Sequence, residues 1–185
     1  MDGFCTVLHN EDGKIFGLQL EGLIDSTEGF IELLQFIEGK AGYIEQHELL
    51  LIVPIGFGIA SVLNHETNIS KLLDTYPFIR LMIYENFPNL IHGRKNQLLQ
   101  HLCTNYQVWL GNLGSVMRTN LVGVMQGCFD GLVLDKQFTN GNKDKGIFPV
   151  VLNEMSKYTN HLIVSGIHTG RYRSVRIAHI EQQLM

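Results

Sequence analysis

Cysteine, tryptophan and proline are scarce in this chain: three Cys, one Trp and four Pro among 185 residues. Cys5, Cys103 and Cys128 lie far apart, have no CxxC spacing and are odd in number, which argues against a closed disulfide framework and suits reduced thiols in a cytoplasm. Long hydrophobic runs are lacking too. The longest, Leu49 to Ala60, is too short to span a bilayer and carries Pro54, Gly56 and Gly58. The opening MDGFCTVLHNEDGK has no basic stretch followed by an apolar one, so a soluble cytoplasmic protein is expected. Charge is sparse at 17%, with a formal net charge of −4, and gives no general attraction to nucleic acid or to an anionic membrane. Neither is expected as a direct partner. There are no internal repeats and no low-complexity tracts, and neither a glycine-rich phosphate loop nor a GxGxxG follows any predicted strand, which weakens a nucleotide-binding doubly wound sheet.

What is present is enough apolar residue, 45%, for one globular domain spanning Met1 to Met185 with a sizeable core. Asn10-Glu11-Asp12-Gly13 between Phe4–Leu8 and Lys14–Leu20 predicts an opening hairpin. Alternating units then follow. Helical sequence runs from Thr27 to Gly39 and on through His47, with a strand at Leu50–Ile55 and a short helix at Ile69–Thr75. Further strands are expected at Phe78–Tyr84, Gln107–Leu110, Gly131–Leu134 and His161–Val164. Helices are expected at Lys95–Thr104, Met117–Gln126 and Pro149–Tyr158, with a last one from about Arg173. Thr139–Gly146 reads as a mobile loop. Strands alternating with helices imply parallel pairing through right-handed crossovers, hence an α/β barrel or a doubly wound sheet. About six principal strands, after allowing for the hairpin, are too few for a full eight-stranded barrel, which predicts an incomplete one.

The segment from Tyr106 to Phe138 has the layout of a catalytic strand–helix unit, but its strand ends in Gly111-Asn112 where a barrel enzyme would place metal-binding carboxylates. Together with Asp12-Gly13-Lys14-Ile15-Phe16-Gly17 and Gly166-Ile167-His168-Thr169, this pattern resembles the EAL domain over nearly the whole chain. Active members of that family hydrolyse cyclic di-GMP on a barrel with two divalent metals. Tyr76-Pro77-Phe78-Ile79, Glu85-Asn86-Phe87-Pro88-Asn89-Leu90, Leu110-Gly111-Asn112-Leu113-Gly114 and Leu134-Asp135-Lys136 are similar to a degenerate branch, the YdiV-type proteins. The resemblance implies a TIM-barrel-like EAL fold, incomplete at the C-terminal end because the terminal family strand is missing, and a trimmed first large helix. It also implies a non-enzymatic regulator that binds the FlhD subunit of the flagellar master activator FlhDC, keeps it from DNA and represses motility.

Two-metal phosphodiester hydrolysis needs carboxylates at several strand ends to hold the ions. By the resemblance, the signature Glu falls on Gln19, or on Glu21 after a two-residue slip, and both positions face one side of a strand. The ligand Asn falls on Pro54, the next Glu on Met82, and the Asp-Asp pair on Gly111-Asn112. The activating Lys falls on Val133 and the late Glu pair on Ser165 and His168. Pro and Gly offer no side-chain ligand, and a Met thioether is too soft for magnesium. Glu85 and Asp135 survive without their partners. The phosphate-pairing Arg falls on Leu23, or on Asp25 under the slip, which speaks against cyclic di-GMP. A cyclic di-GMP receptor is the alternative reading. No residue is assigned a catalytic, cofactor-binding, metal-binding or partner-binding role, and no cofactor is expected.

The blander readings govern the remaining residues. His9, His47, His65, His92, His101, His161, His168 and His179 show no ligand spacing of two, three or four. Arg171, Arg173 and Arg176 read as a solvated helix face, and Trp109 as core. Glu85 and Asp135 read as structural hydrogen-bonding groups at strand ends. The stripe Leu121, Val122, Met125 and Phe129 has helical spacing and reads as core.

Overall fold

The structure, a computed structural model, describes residues 5–65, 67–115, 121–166 and 177–181. It opens on the expected hairpin, β1 (Cys5–His9) and β2 (Ile15–Leu20). The Asn10 side chain accepts from the backbone N–H groups of Asp12 and Lys14 at 3.0 and 2.9 Å, which closes the turn. Helix α1 (Thr27–Glu38) follows, with the Ser26 hydroxyl accepting from Gly29 N at 3.2 Å as its N-cap and with Phe30, Leu33, Leu34 and Ile37 buried along one stripe. Next come α2 (Ala41–Gln46), β3 (Leu50–Pro54), α3 (Phe57–His65), α4 (Thr67–Asp74) and β4 (Ile79–Tyr84). A 3₁₀ segment, Leu90–Lys95, leads into α5 (Gln97–Asn105) and β5 (Val108–Leu113). The chain continues through α6 (Val122–Met125), β6 (Gly131–Leu134), α7 (Lys136–Asn142), α8 (Phe148–Met155), β7 (His161–Ser165) and β8 (Ile177–Glu181).

Among the described residues these strands form a closed barrel in sequence order, with β1 antiparallel to both of its neighbours and every other pair parallel. Two apolar shells result. Leu8, Ile52, Met82, Trp109, Val133 and Ile163 fill the barrel interior, and a larger cluster seals the strands against the helices.

Three expectations need correction, and one helix was not expected. The barrel is not left open: Ile177–Glu181 is a strand between β7 and β1, where a final helix was expected from Arg173, itself outside the described residues. Pairing on both sides satisfies a backbone that an open edge would leave bare. Thr139–Gly146 is not all loop, because α7 runs through Asn142 from a cap at Asp135. Helix α3 occupies a stretch to which no element was assigned, and at its start Gly56 N–H bonds Ile24 O at 2.8 Å and Gly58 N–H bonds Asp25 at 2.6 Å. Finally, Leu121, Val122 and Met125 are exposed, at 36%, 43% and 61%, and only Phe129 of that stripe is core. The short α6 rests on the buried Gly123 and Val124 instead. The predicted helical residues Met117 to Asn120 lie outside the described residues.

Candidate functional site

The family's metal and base positions gather at the C-terminal mouth of the barrel. Register sets Gln19 beside Ile52, Pro54 beside Met82, Tyr84 beside Gly111, and Val133 beside Ile163. Met82 is fully buried and Val133 nearly so, and both belong to the apolar interior. A Cβ added to Gly111 would come within 2.7 Å of Met82 Sδ and 2.9 Å of Tyr84 Cδ1. The space for a carboxylate at position 111 is therefore filled by a thioether and a phenol ring. Burial pushes the Tyr84 hydroxyl up, and the charge of Glu21 adds to this, so a neutral phenol stands at the mouth.

The carboxylates that remain are engaged by the protein itself. Glu21 accepts from Thr6 Oγ1 at 3.0 Å across the hairpin. Glu85, buried just past β4, accepts through Oε2 from Gly114 N at 3.0 Å and Ser115 Oγ at 3.3 Å, so it holds the turn after β5. Asp135 accepts from Phe138 N at 2.8 Å and caps α7. Both carboxylates have the structural roles expected of them. Ser165, in a late Glu position, donates to Leu134 O at 2.8 Å, while His168 lies outside the described residues. The carboxamide oxygen of Gln19 is buried and has no hydrogen-bond partner among the described residues.

Asp25 carries one consequence that its position in the sequence only hinted at. Its carboxylate accepts from Gly58 N at 2.6 Å, at the first turn of α3, and a Cβ on Gly56 would come within 2.3 Å of it. The helix N-terminus where an anion would settle already holds a carboxylate from the chain. Leu23, the other candidate for the phosphate-pairing position, is 52% exposed and carries no charge.

A pair of divalent cations needs several converging hard oxygen ligands. Proline, methionine, glycine and valine stand at the corresponding strand ends, and the carboxylates nearby are spent on backbone and hydroxyl donors. These residues do not fit a two-metal centre. Among the described residues no three His, Cys, Asp or Glu side chains converge on a common point.

The opposite end of the barrel holds a polar network. Trp109, fully buried as expected, donates from Nε1 to Asp130 Oδ2 at 3.2 Å, and its ring stacks on His161 at a centroid distance of 5.3 Å. Asn160 Nδ2 donates to Asp130 Oδ1 at 2.7 Å, and Arg80 Nε stands 3.6 Å from Asp130 Oδ2. Burial draws the Arg80 guanidinium down, and the Asp130 charge opposes this. Gly131 makes the arrangement fit, because a Cβ there would come within 2.2 Å of the Trp109 ring. A polar network at the N-terminal end of such a barrel, away from the catalytic face, serves stability.

Sequence reasoning missed Tyr84. Tyr84 was detectable, since it lies two residues past Met82 on the same strand face.

No family model matches the chain. It is 31% identical over 145 residues to the putative anti-FlhC(2)FlhD(4) factor YdiV of Escherichia coli strain K12, covering 76% of this chain and 61% of that protein. It is 27% identical over 142 residues to the anti-FlhC(2)FlhD(4) factor YdiV of Salmonella arizonae, covering 75% of this chain and 60% of that one. The chain thus spans about three fifths of the length of these relatives. The solved structure of the EAL-like domain protein YdiV superposes with a TM-score of 0.81 at 23% identity, over 96% of this chain and 89% of that one. The fold is EAL-like.

Proposed function

We propose that the chain is a single EAL-like domain that has given up phosphodiester chemistry and acts as a regulator. It binds the FlhD subunit of the flagellar activator FlhC(2)FlhD(4), keeps the activator from its DNA and represses flagellar genes and motility, acting in the cytoplasm. The observation that carries this reading is the filled mouth. Met82 and Tyr84 occupy the space over Gly111, and Pro54 and Val133 stand where ligand and base would be. Losing even a supporting partner of a metal ligand costs roughly 10–100-fold in affinity or activity, so replacement of most direct ligands leaves no turnover. The likeness to proteins named anti-FlhC(2)FlhD(4) factors supplies the partner. No helix among the described residues is long and apolar enough to cross a membrane, which accords with a partner met in solution.

The mechanism has no chemical step. Occlusion or remodelling of FlhD is stoichiometric, and its extent follows from affinity and concentration. A gel-shift assay with flagellar promoter DNA and FlhC(2)FlhD(4) tests it. Added protein should abolish the shifted band in proportion to its molar ratio, and a band unchanged at excess protein would remove the reading. The runner-up, a cyclic di-GMP receptor, is disfavoured by the carboxylate of Asp25 at the α3 N-terminus.

A further inference from the structure

Where the 3₁₀ segment Leu90–Lys95 meets α6, large apolar side chains stand in solvent: Ile91 at 64%, together with Leu121, Val122 and Met125. Hydrogen bonds join the two segments. Arg94 N donates to Gln126 Oε1 at 2.7 Å, Arg94 Nε to Gln126 O at 3.1 Å, and a terminal Arg94 nitrogen to Gly127 O at 3.2 Å. Gly93, at a φ of 53°, permits the close approach, because a Cβ there would come within 3.0 Å of Val122 Cγ1 and would run into the Gln126 side chain. Gly123 lets α6 lie on Phe129, which a Cβ would meet at 3.1 Å. Leu121, Val122 and Met125 are spaced to share one side of the short helix, while the core takes Gly123 and Val124. Their exposure is therefore fixed by the packing beneath them.

Charge marks the same surface. All 18 acidic residues of the chain lie outside the stretch from Asn86 to Phe129, which carries Arg94, Lys95 and Arg118 although the chain as a whole has a formal net charge of −4. His92, Arg94 and Lys95 are exposed beside Ile91, and neither Arg94 nor Lys95 is ion-paired among the described residues. An apolar face with a cationic edge and no local carboxylate is complementary to an apolar surface edged with Asp and Glu. A second copy of this chain fits it poorly, since a two-fold dimer would bring two cationic edges together with no carboxylate to answer them. Nucleic acid fits it poorly as well, because the face is mainly apolar and the rest of the chain is anionic.

We propose that the face formed by Leu90–Lys95 and α6 is the docking surface for FlhD, with Ile91 and Met125 as apolar anchors and Lys95 matched to an acidic rim on the partner. This rests on the reading that the chain binds FlhD, and it assigns the surface used and the chemistry of what that surface meets. The anchors supply most of the affinity, and the cations set the rate of encounter and the register. Binding through this face asks nothing of the filled mouth.

Calorimetric titration of FlhD with the full chain tests the assignment. The wild type should bind, Ile91→Ser and Met125→Ser should each weaken binding about tenfold, and Lys95→Glu should weaken it about fivefold. Added salt should weaken the wild-type complex more than that of Lys95→Glu. Val150→Ser, at a position 59% exposed on α8, is the control and should bind as the wild type does. All of these positions are exposed, so melting temperatures should not change. If a serine variant melts lower, Lys95→Glu and its salt series decide. Wild-type affinity in Ile91→Ser, Met125→Ser and Lys95→Glu would overturn the proposal and leave the FlhD reading standing, whereas no binding by the wild type would overturn both. Self-association, or pelleting with phosphatidylserine vesicles, that Ile91→Ser abolishes while FlhD binding is unchanged would give the face to another occupant and overturn the proposal.

Discussion

The ring of Tyr84 lies so close over Gly111 that a Cβ there would come within 2.9 Å of Tyr84 Cδ1 and 2.7 Å of Met82 Sδ. Restoring a family carboxylate at this position therefore collides with the residues that replaced its neighbours. Gly111→Asp should destabilise the protein by about 1–3 kcal/mol through overpacking. For a chain of this size that is a fall in Tm of roughly 2–4 °C per kcal/mol, measurable by thermal melting. No metal-dependent hydrolysis of cyclic di-GMP should appear. An unchanged Tm would show that the mouth is open.

Asp130 joins three strands at the other end, through Trp109 on β5, Arg80 on β4 and Asn160 just before β7. Arg80 and Asp130 are shielded, with side chains 17% and 13% exposed, so removing the carboxylate strands a cation and two N–H donors. Asp130→Ala should cost on the order of 3 kcal/mol in urea unfolding. A loss below ~1 kcal/mol would mean that water replaces the carboxylate and that the network is not structural.

Glu85 and Asp135 are the family carboxylates that survive, and each is occupied with holding a turn. Asp135→Ala should lose about 1 kcal/mol as a lost helix cap. Glu85→Ala should lose about 1–3 kcal/mol, because the half-buried Gly114 N–H is left without its acceptor. Calorimetric affinity for FlhD should be unchanged in both. Loss of affinity in a folded variant would place that carboxylate in the partner contact.

Titration with cyclic di-GMP should release no heat. The Asp25 carboxylate, 2.6 Å from Gly58 N, already occupies the α3 N-terminus and repels a phosphate there. A saturable heat would return the case to the receptor reading.

Much of the barrel was readable from period and punctuation: the hairpin from Asn10 to Gly13, and the parallel strands from short apolar runs between helical stretches. The misses share a cause. Gly56 and Gly58 look like helix breakers, yet their N–H groups are satisfied by Ile24 and Asp25, more than thirty residues away. Asp135 starts α7 in a stretch whose asparagines and glycines suggest a loop. Ile177–Glu181 becomes a strand because β7 and β1 both pair with it, information that no local window contains. The loss of ligands could be read position by position. That Met82 and Tyr84 fill the vacated space could not, because it depends on distant elements packing together.

The central claim is that this EAL-like barrel acts by seizing a protein. Size-exclusion chromatography of the full chain mixed with purified FlhD at micromolar concentrations tests it most directly. The account predicts a single earlier peak containing both chains, formed without nucleotide or divalent metal. Two separate peaks at the positions of the free proteins would contradict it.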